Sequence, residues 1–192
     1  MVPDTSELPP PKKEIWKDKE TNLWNLSIEF LVPLTKERVF KIISDPDLST
    51  RVFSNFKGYS DMEVLDEDKQ KDFTRFEMDR HQWYRVLWFK GSVATRLLYE
   101  NYPKEGRQYF KLMRPGFMRV FDGRWQVEDA DCNGGQCARV KLDQLFQLGI
   151  RIPGSDILIK RLVPGTTEQM MNDLIREAQS ENEDSKASGS SE

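Results

Sequence analysis

The chain has 192 residues, 29 of them Lys or Arg and 32 Asp or Glu, for a formal charge of −3. Both signs are interspersed along its length, which argues against a nucleic-acid partner, since a duplex binder needs a dense basic face to displace counterions; only a local basic patch would be compatible. No apolar run approaches the roughly 18 to 20 residues of a membrane span, and two cysteines with one histidine supply neither a disulfide scaffold nor a zinc site.

Residues 1–21 set Pro9-Pro10-Pro11-Lys12-Lys13 among charges with no hydrophobic period and read as a flexible leader. They have neither the apolar core of a secretory signal nor the acid-poor character of a transit peptide, so the expected location is intracellular. That means the cytoplasm, or a plastid or mitochondrion if a targeting segment has been removed. Residues 180–192 (SENEDSKASGSSE) have no apolar residue except Ala187, which predicts a disordered acidic tail. The domain is then 22–179.

Its first element alternates Trp24, Leu26, Ile28, Phe30 and Val32 with Asn25, Ser27, Glu29 and Leu31, a strand with one buried face. After Pro33, Thr35 can cap a short helix carrying Val39, Phe40, Ile42 and Ile43. A second brief helix is expected near residues 47–53. From Tyr59 to Leu148 strand-like segments follow one another as in an antiparallel meander, with hairpin connections expected at 66–68, 103–106, 115–116 and 133–135. In FDGRWQV, Phe121, Trp125 and Val127 share a face with Gly123; in ARVKLDQLFQL, Ala138, Val140, Leu142, Phe146 and Leu148 share another.

Beyond Pro153-Gly154 the period lengthens. Ile157, Leu158, Leu162 and Val163, then Met170, Met171, Leu174, Ile175 and Ala178, describe an amphipathic helix, with a kink or restart expected at Pro164-Gly165 and Thr166 as the new cap.

This order, punctuated by VPLTKERVFKIISDPD, FDGRWQV and IRIPGSDILIKRLV, resembles the START-like (helix-grip) superfamily, and within it the polyketide cyclase/dehydrase and coenzyme Q-binding protein group. The resemblance implies an α+β fold in which a curved antiparallel sheet of about seven strands wraps a long C-terminal helix, with two short helices after the first strand and a hydrophobic cavity between sheet and helix. One apolar sheet face with few helices to cover it points the same way. The candidate ligand-binding residues are Phe76, Met78, Leu87, Phe89, Val93, Leu97, Phe110, Leu112, Phe121 and Trp125 on the strands, and Met170, Met171 and Leu174 on the helix. Each has core packing as its plainer alternative.

Cyclases of that superfamily place polar side chains in the cavity, and Arg80, Arg96, Arg114, Tyr99 and Tyr109 are the candidates here, although alternation alone leaves open which point inward. No catalytic constellation is visible: His81 stands alone, there is no nucleophile motif around it, and phosphate-cradling glycine motifs are missing. Neither a cofactor nor a metal is expected. Cys132 and Cys137 flank Asn133-Gly134-Gly135-Gln136; with Gly134-Gly135 central they would face each other within disulfide range, or remain free thiols. The aromatic run 81–89 exceeds what one strand face can bury, so some of Trp83, Tyr84 and Trp88 should be outward, available to a membrane surface or a protein. The expected function is binding, with transport or sensing, of a hydrophobic small molecule: a lipid, prenylquinone, isoprenoid or polyketide-like compound. Release would need the mouth to open, and the short helices near Asp45 to Phe53 and the Pro115-Gly116 turn are the natural lids. A cyclase or dehydratase, or an interaction module whose cavity is filled by its own side chains, are the alternatives.

Overall fold

The computed structural model describes residues 8–68, 70, 72–86, 89–132, 135–149 and 155–189. They form one eight-stranded antiparallel sheet in the order β1-β2-β8-β7-β6-β5-β4-β3, with three helices. The strands are β1 (Lys12–Lys17), β2 (Trp24–Val32), β3 (Phe56–Asp68), β4 (Phe73–Val86), β5 (Phe89–Tyr102), β6 (Arg107–Leu112), β7 (Met118–Cys132) and β8 (Gly135–Leu148). The helices are α1 (Lys36–Ser44), α2 (Pro46–Val52) and α3 (Ser155–Gly189). This is the curved-sheet α+β helix-grip architecture, with one strand more than expected.

The extra strand is β1, inside the segment read as a leader. It pairs with β2 from Lys12↔Glu29 to Lys17↔Trp24, turning Ile15 toward the core and Trp16 outward. At the other end of the chain, α3 continues to Gly189, through the segment expected to be disordered. It also runs unbroken across Pro164, where a restart was expected. Proline removes one backbone donor, but burial of Ile159, Met170, Leu174 and Ala178 against the sheet contributes more over the helix as a whole.

The alternation of β2 is realised, Trp24, Leu26, Ile28, Phe30 and Val32 all being buried. Thr35 caps α1 by accepting from the Arg38 amide at 3.1 Å, and Asp45 caps α2 by accepting from Asp47 and Leu48. Between β5 and β6, Pro103–Glu105 form a single 3-10 turn closed by Gly106 in the left-handed region at φ 65°. The expected connection at 66–68 is instead the end of β3.

Cys132 and Cys137 form a disulfide, in a register unlike the one expected. Cys132 pairs with Gly135, and Cys137 with Ala130, so the cysteines are diagonal neighbours rather than opposite, 5.9 Å apart between α carbons. Residues 133 and 134 lie outside the described residues. β3 is the free edge opposite β1, and its pairing with β4 is interrupted by register shifts at three places.

The outer face of the sheet carries an ionic ladder. Ser27 Oγ donates to Asp143 at 2.7 Å, while Arg124 and Lys141 approach the same carboxylate at 3.0 and 3.4 Å. Partial burial pushes the Asp143 carboxyl up, but Ser27, Arg124 and Lys141 outweigh it and hold the group below its usual range. A lowered folded value gives stability that is present above the ordinary Asp range, about pH 3.9, and is lost as pH falls through the folded value. Asp143→Asn should therefore cost under ~1 kcal/mol at pH 7, a pair at the water interface being partly screened. In urea melts at descending pH the gap to the parent should narrow; a gap that widens would contradict the ladder.

Candidate ligand cavity

The site lies where α1 ends and α2 crosses the inner face of the sheet near β3 and β4. Its inner wall is built by alternate residues of β4, since Phe76, Met78 and Arg80 share one parity, and by Tyr99, Gln108 and Trp125 of the strands beyond. Ile43, Pro46, Ser49, Thr50 and Phe53 close it from the α1–α2 side, Phe56 and Tyr59 from β3, and Met170 from α3. The free space left between them is about 20 Å³, room for little more than one water molecule.

Arg80 and Tyr99 are the buried polar pair on the sheet wall of this enclosure. Arg80 is only 8% exposed; its guanidinium carbon lies 3.6 Å from the centre of the Phe56 ring, and its Nη1 donates to the Tyr99 hydroxyl at 3.5 Å. Arg80 Nε is buried without a hydrogen-bond partner. Burial raises the pKa of Tyr99 against the opposing pull of Arg80, so its hydroxyl stays protonated at neutral pH. Gln108, also buried, donates from Nε2 to Asn101 Oδ1 at 2.9 Å and to the Ile43 carbonyl at 3.4 Å.

α2 is held down like a lid. The Tyr59 hydroxyl donates to Asp47 at 2.9 Å, and this bond, with burial and the Asp45 and Asp47 charges behind it, raises the tyrosine pKa. Asp173 of α3 accepts from both the amide and the hydroxyl of Ser54 at 2.9 Å, and Glu177 accepts from Arg51 and Arg38 at 2.8 and 2.7 Å.

Of the thirteen residues singled out in the sequence, Phe76, Met78, Trp125 and Met170 line the cavity. Leu97, Phe110 and Leu174 are buried in the surrounding core, and Leu112, Phe121 and Met171 are half-buried against it. Val93 is half-buried on β5. Leu87 and the side chain of Phe89 lie outside the described residues. Among the polar candidates Arg80 and Tyr99 point inward, whereas Arg96 pairs with Glu77 at 3.1 Å, Tyr109 stands in register between Glu100 and Arg124 in the outer row, and Arg114 is exposed. The inward pair was recoverable by parity, Arg80 with Met78 and Tyr99 with Leu97. The short helices near residues 45–53 were expected as a lid, but which of their side chains face the cavity was not legible, because strand alternation carries no information about what α2 lays over the sheet. His81 is on the outer face, 3.0 Å from Ser60 Oγ, and Trp83 is 54% exposed with Lys57 4.9 Å above its ring. Among the described residues no group of His, Cys, Asp and Glu could hold a metal ion, and no helix is long and apolar enough to cross a membrane.

A curved sheet gripping a C-terminal helix is the START-like helix-grip fold. Solved structures share the fold. The Zhui aromatase/cyclase from Streptomyces sp. R1128 superposes with a TM-score of 0.58 at 11% identity, covering 82% of this chain and 94% of that one. The 18 kDa protein CC1736 from Caulobacter crescentus gives 0.58 at 11% identity over 82% and 97%, and the lipid transfer and protein localization domain of human StarD13 gives 0.53 at 10% over 88% and 83%. No curated protein matches the sequence. The chain belongs to the family described as domain of unknown function DUF220, whose model matches residues 14–130.

Proposed function

We propose that the protein binds a hydrophobic small molecule, of the lipid, prenylquinone, isoprenoid or polyketide-like classes, between its sheet, α2 and α3. The observation that carries this reading is the buried pair Arg80 and Tyr99 among the aromatic and aliphatic side chains of the sheet wall, since a largely apolar site with a few fixed polar groups is the usual make-up of a small-molecule pocket. Burial of apolar ligand surface, at about 25 cal/mol per Å², would drive association. The present free space is too small for such a ligand, so entry requires α2 to lift and the Met170 side chain to move aside; methionine is suited to that by its flexibility. Exposed Trp83, with Lys57 over it, gives a ring and a cation to a lipid surface from which such a ligand could be taken up.

Binding is favoured over catalysis because no carboxylate or imidazole is among the described residues that line the cavity, leaving a cyclase reaction without an evident base. The small free volume favours a second reading, an interaction module whose cavity is filled by its own side chains.

Native mass spectrometry of gently purified protein separates the two. A discrete added mass that is lost on denaturation, and is identified after solvent extraction, supports the ligand reading. A bare polypeptide that also takes up no quinone, fatty acid or isoprenoid on incubation supports the interaction module. For any ligand found, Met170→Trp should lower affinity roughly tenfold or more while also lowering the melting temperature, because the larger ring overpacks the wall, so affinity is compared only with native circular dichroism retained; Met171→Trp, outside the lining, should have a much smaller effect on affinity. Equal affinities for the parent and Met170→Trp would overturn this lining.

A further inference from the structure

Building on the ligand reading above, we infer that the occupant of the cavity is an amphiphile bearing a carboxylate, and that Arg80 is the group that takes it. Arg80 is a buried cation without a counter-ion: among the described residues no carboxylate lies within ion-pair distance of it. The other partly buried arginines of the fold are treated differently, Arg38 reaching Glu177 and Glu181, and Arg96 reaching Glu77. The face of Phe56 offsets part of the desolvation of Arg80. It does not serve the Nε–H, which is buried with no acceptor. An unsatisfied donor on an otherwise closed cationic group is costly, and an anion supplied from outside would remove that cost.

The geometry selects among anions. Guanidinium presents a planar fork of parallel N–H donors that matches the two oxygens of a carboxylate. Tyr99, protonated at neutral pH and already accepting from Arg80, has its own hydroxyl hydrogen left to donate to the same oxygens. Gln108 Nε2 is already spent on Asn101 Oδ1 and the Ile43 carbonyl. Phe53, Phe76, Met78, Trp125 and Met170 supply apolar walls around this point, so the part of the ligand behind the carboxylate must be hydrocarbon or aromatic.

The test is calorimetric titration of the full chain at pH 7 with two matched pairs, 2-naphthoate against methyl 2-naphthoate and decanoate against methyl decanoate. In at least one pair the acid should bind roughly tenfold or more tightly than its ester, the scale of one charge-assisted fork. Arg80→Gln should bring the acid-to-ester affinity ratio down to about one, and Arg80→Lys should keep part of the preference, because a point charge replaces the fork. Acid and ester binding equally to the parent would overturn the carboxylate assignment while leaving the cavity reading in place. No binding of any of the four by protein with native circular dichroism would overturn the cavity reading, and the assignment with it. Should Arg80→Gln fail to fold, Tyr99→Phe provides the second variant, expected to weaken acid binding by roughly threefold or more without changing the ester.

Discussion

Asp173→Ala is expected to lower the free energy of unfolding by about 3 kcal/mol, among the largest single effects of any polar substitution in this chain. The carboxylate is 2% exposed on α3 and accepts from the amide and hydroxyl of Ser54 on one oxygen and from Gln169 Nε2 at 3.0 Å on the other, with Arg176 3.3 Å away. Truncation leaves the Ser54 amide without its acceptor in the half-buried segment that joins α2 to β3, and opens a gap beneath it. Asp173→Asn, which retains an acceptor but not the charge, should cost roughly half as much. Urea unfolding monitored by tryptophan fluorescence measures both, and a loss below ~1 kcal/mol for the alanine variant would show that the latch contributes little.

Gly123→Ala should cost about as much, roughly 3 kcal/mol, for the opposite physical reason. Gly123 sits on β7 directly across from Phe110 of β6, and the aromatic ring lies in the space a side chain would fill. An added Cβ would stand 2.5 Å from Phe110 Cζ and 2.6 Å from the Asp143 carbonyl oxygen. The ring can turn, but it is packed against Phe121 and Tyr99; the carbonyl belongs to β8 and can move only with the strand. For a chain of this size the expected drop in melting temperature is about 6 to 12 °C. Gly165→Ala makes the control: it lies in α3 with open space where its Cβ would be, and should stabilise slightly, since alanine favours the helix. Equal melting temperatures for parent and Gly123→Ala would mean that β7 and β8 can part at little cost.

Much of this frame was legible in the residues alone. The strict alternation of β2, the Thr35 cap and the Gly106 turn each depend on local chemistry that a sequence states outright. Lys12–Lys17 was not legible, because a six-residue segment with Ile15 as its sole inward apolar side chain becomes a strand only when β2 offers it an edge. The continuity of α3 across Pro164 is likewise a tertiary effect, in which packing overrides a local break. The cysteine register depends on where the two-residue connection falls, and one residue of slip in its position turns opposed cysteines into diagonal ones. At the site, parity along β4 and β5 was enough to turn Arg80 and Tyr99 inward once Met78 and Leu97 were placed. The place of α2 over the cavity was expected, but its lining residues were hidden, since Ser49, Thr50 and Pro46 are not the apolar residues by which a cavity wall is usually sought.

The interrupted margin of β3 bears on how the molecule behaves in company. A long exposed edge with Met62, Val64 and Leu65 showing would ordinarily invite a neighbouring chain to add its own strand. Here Gly58 and Asp61 both have positive φ, the register slips three times in thirteen residues, and Asp61, Glu63, Asp66, Glu67 and Asp68 put negative charge along the same border. An incoming strand finds few consecutive backbone partners in line and meets repulsion if it is another copy of β3. The sheet thus ends at a frayed, like-charged hem, and crowding alone gives it little tendency to grow into a fibre.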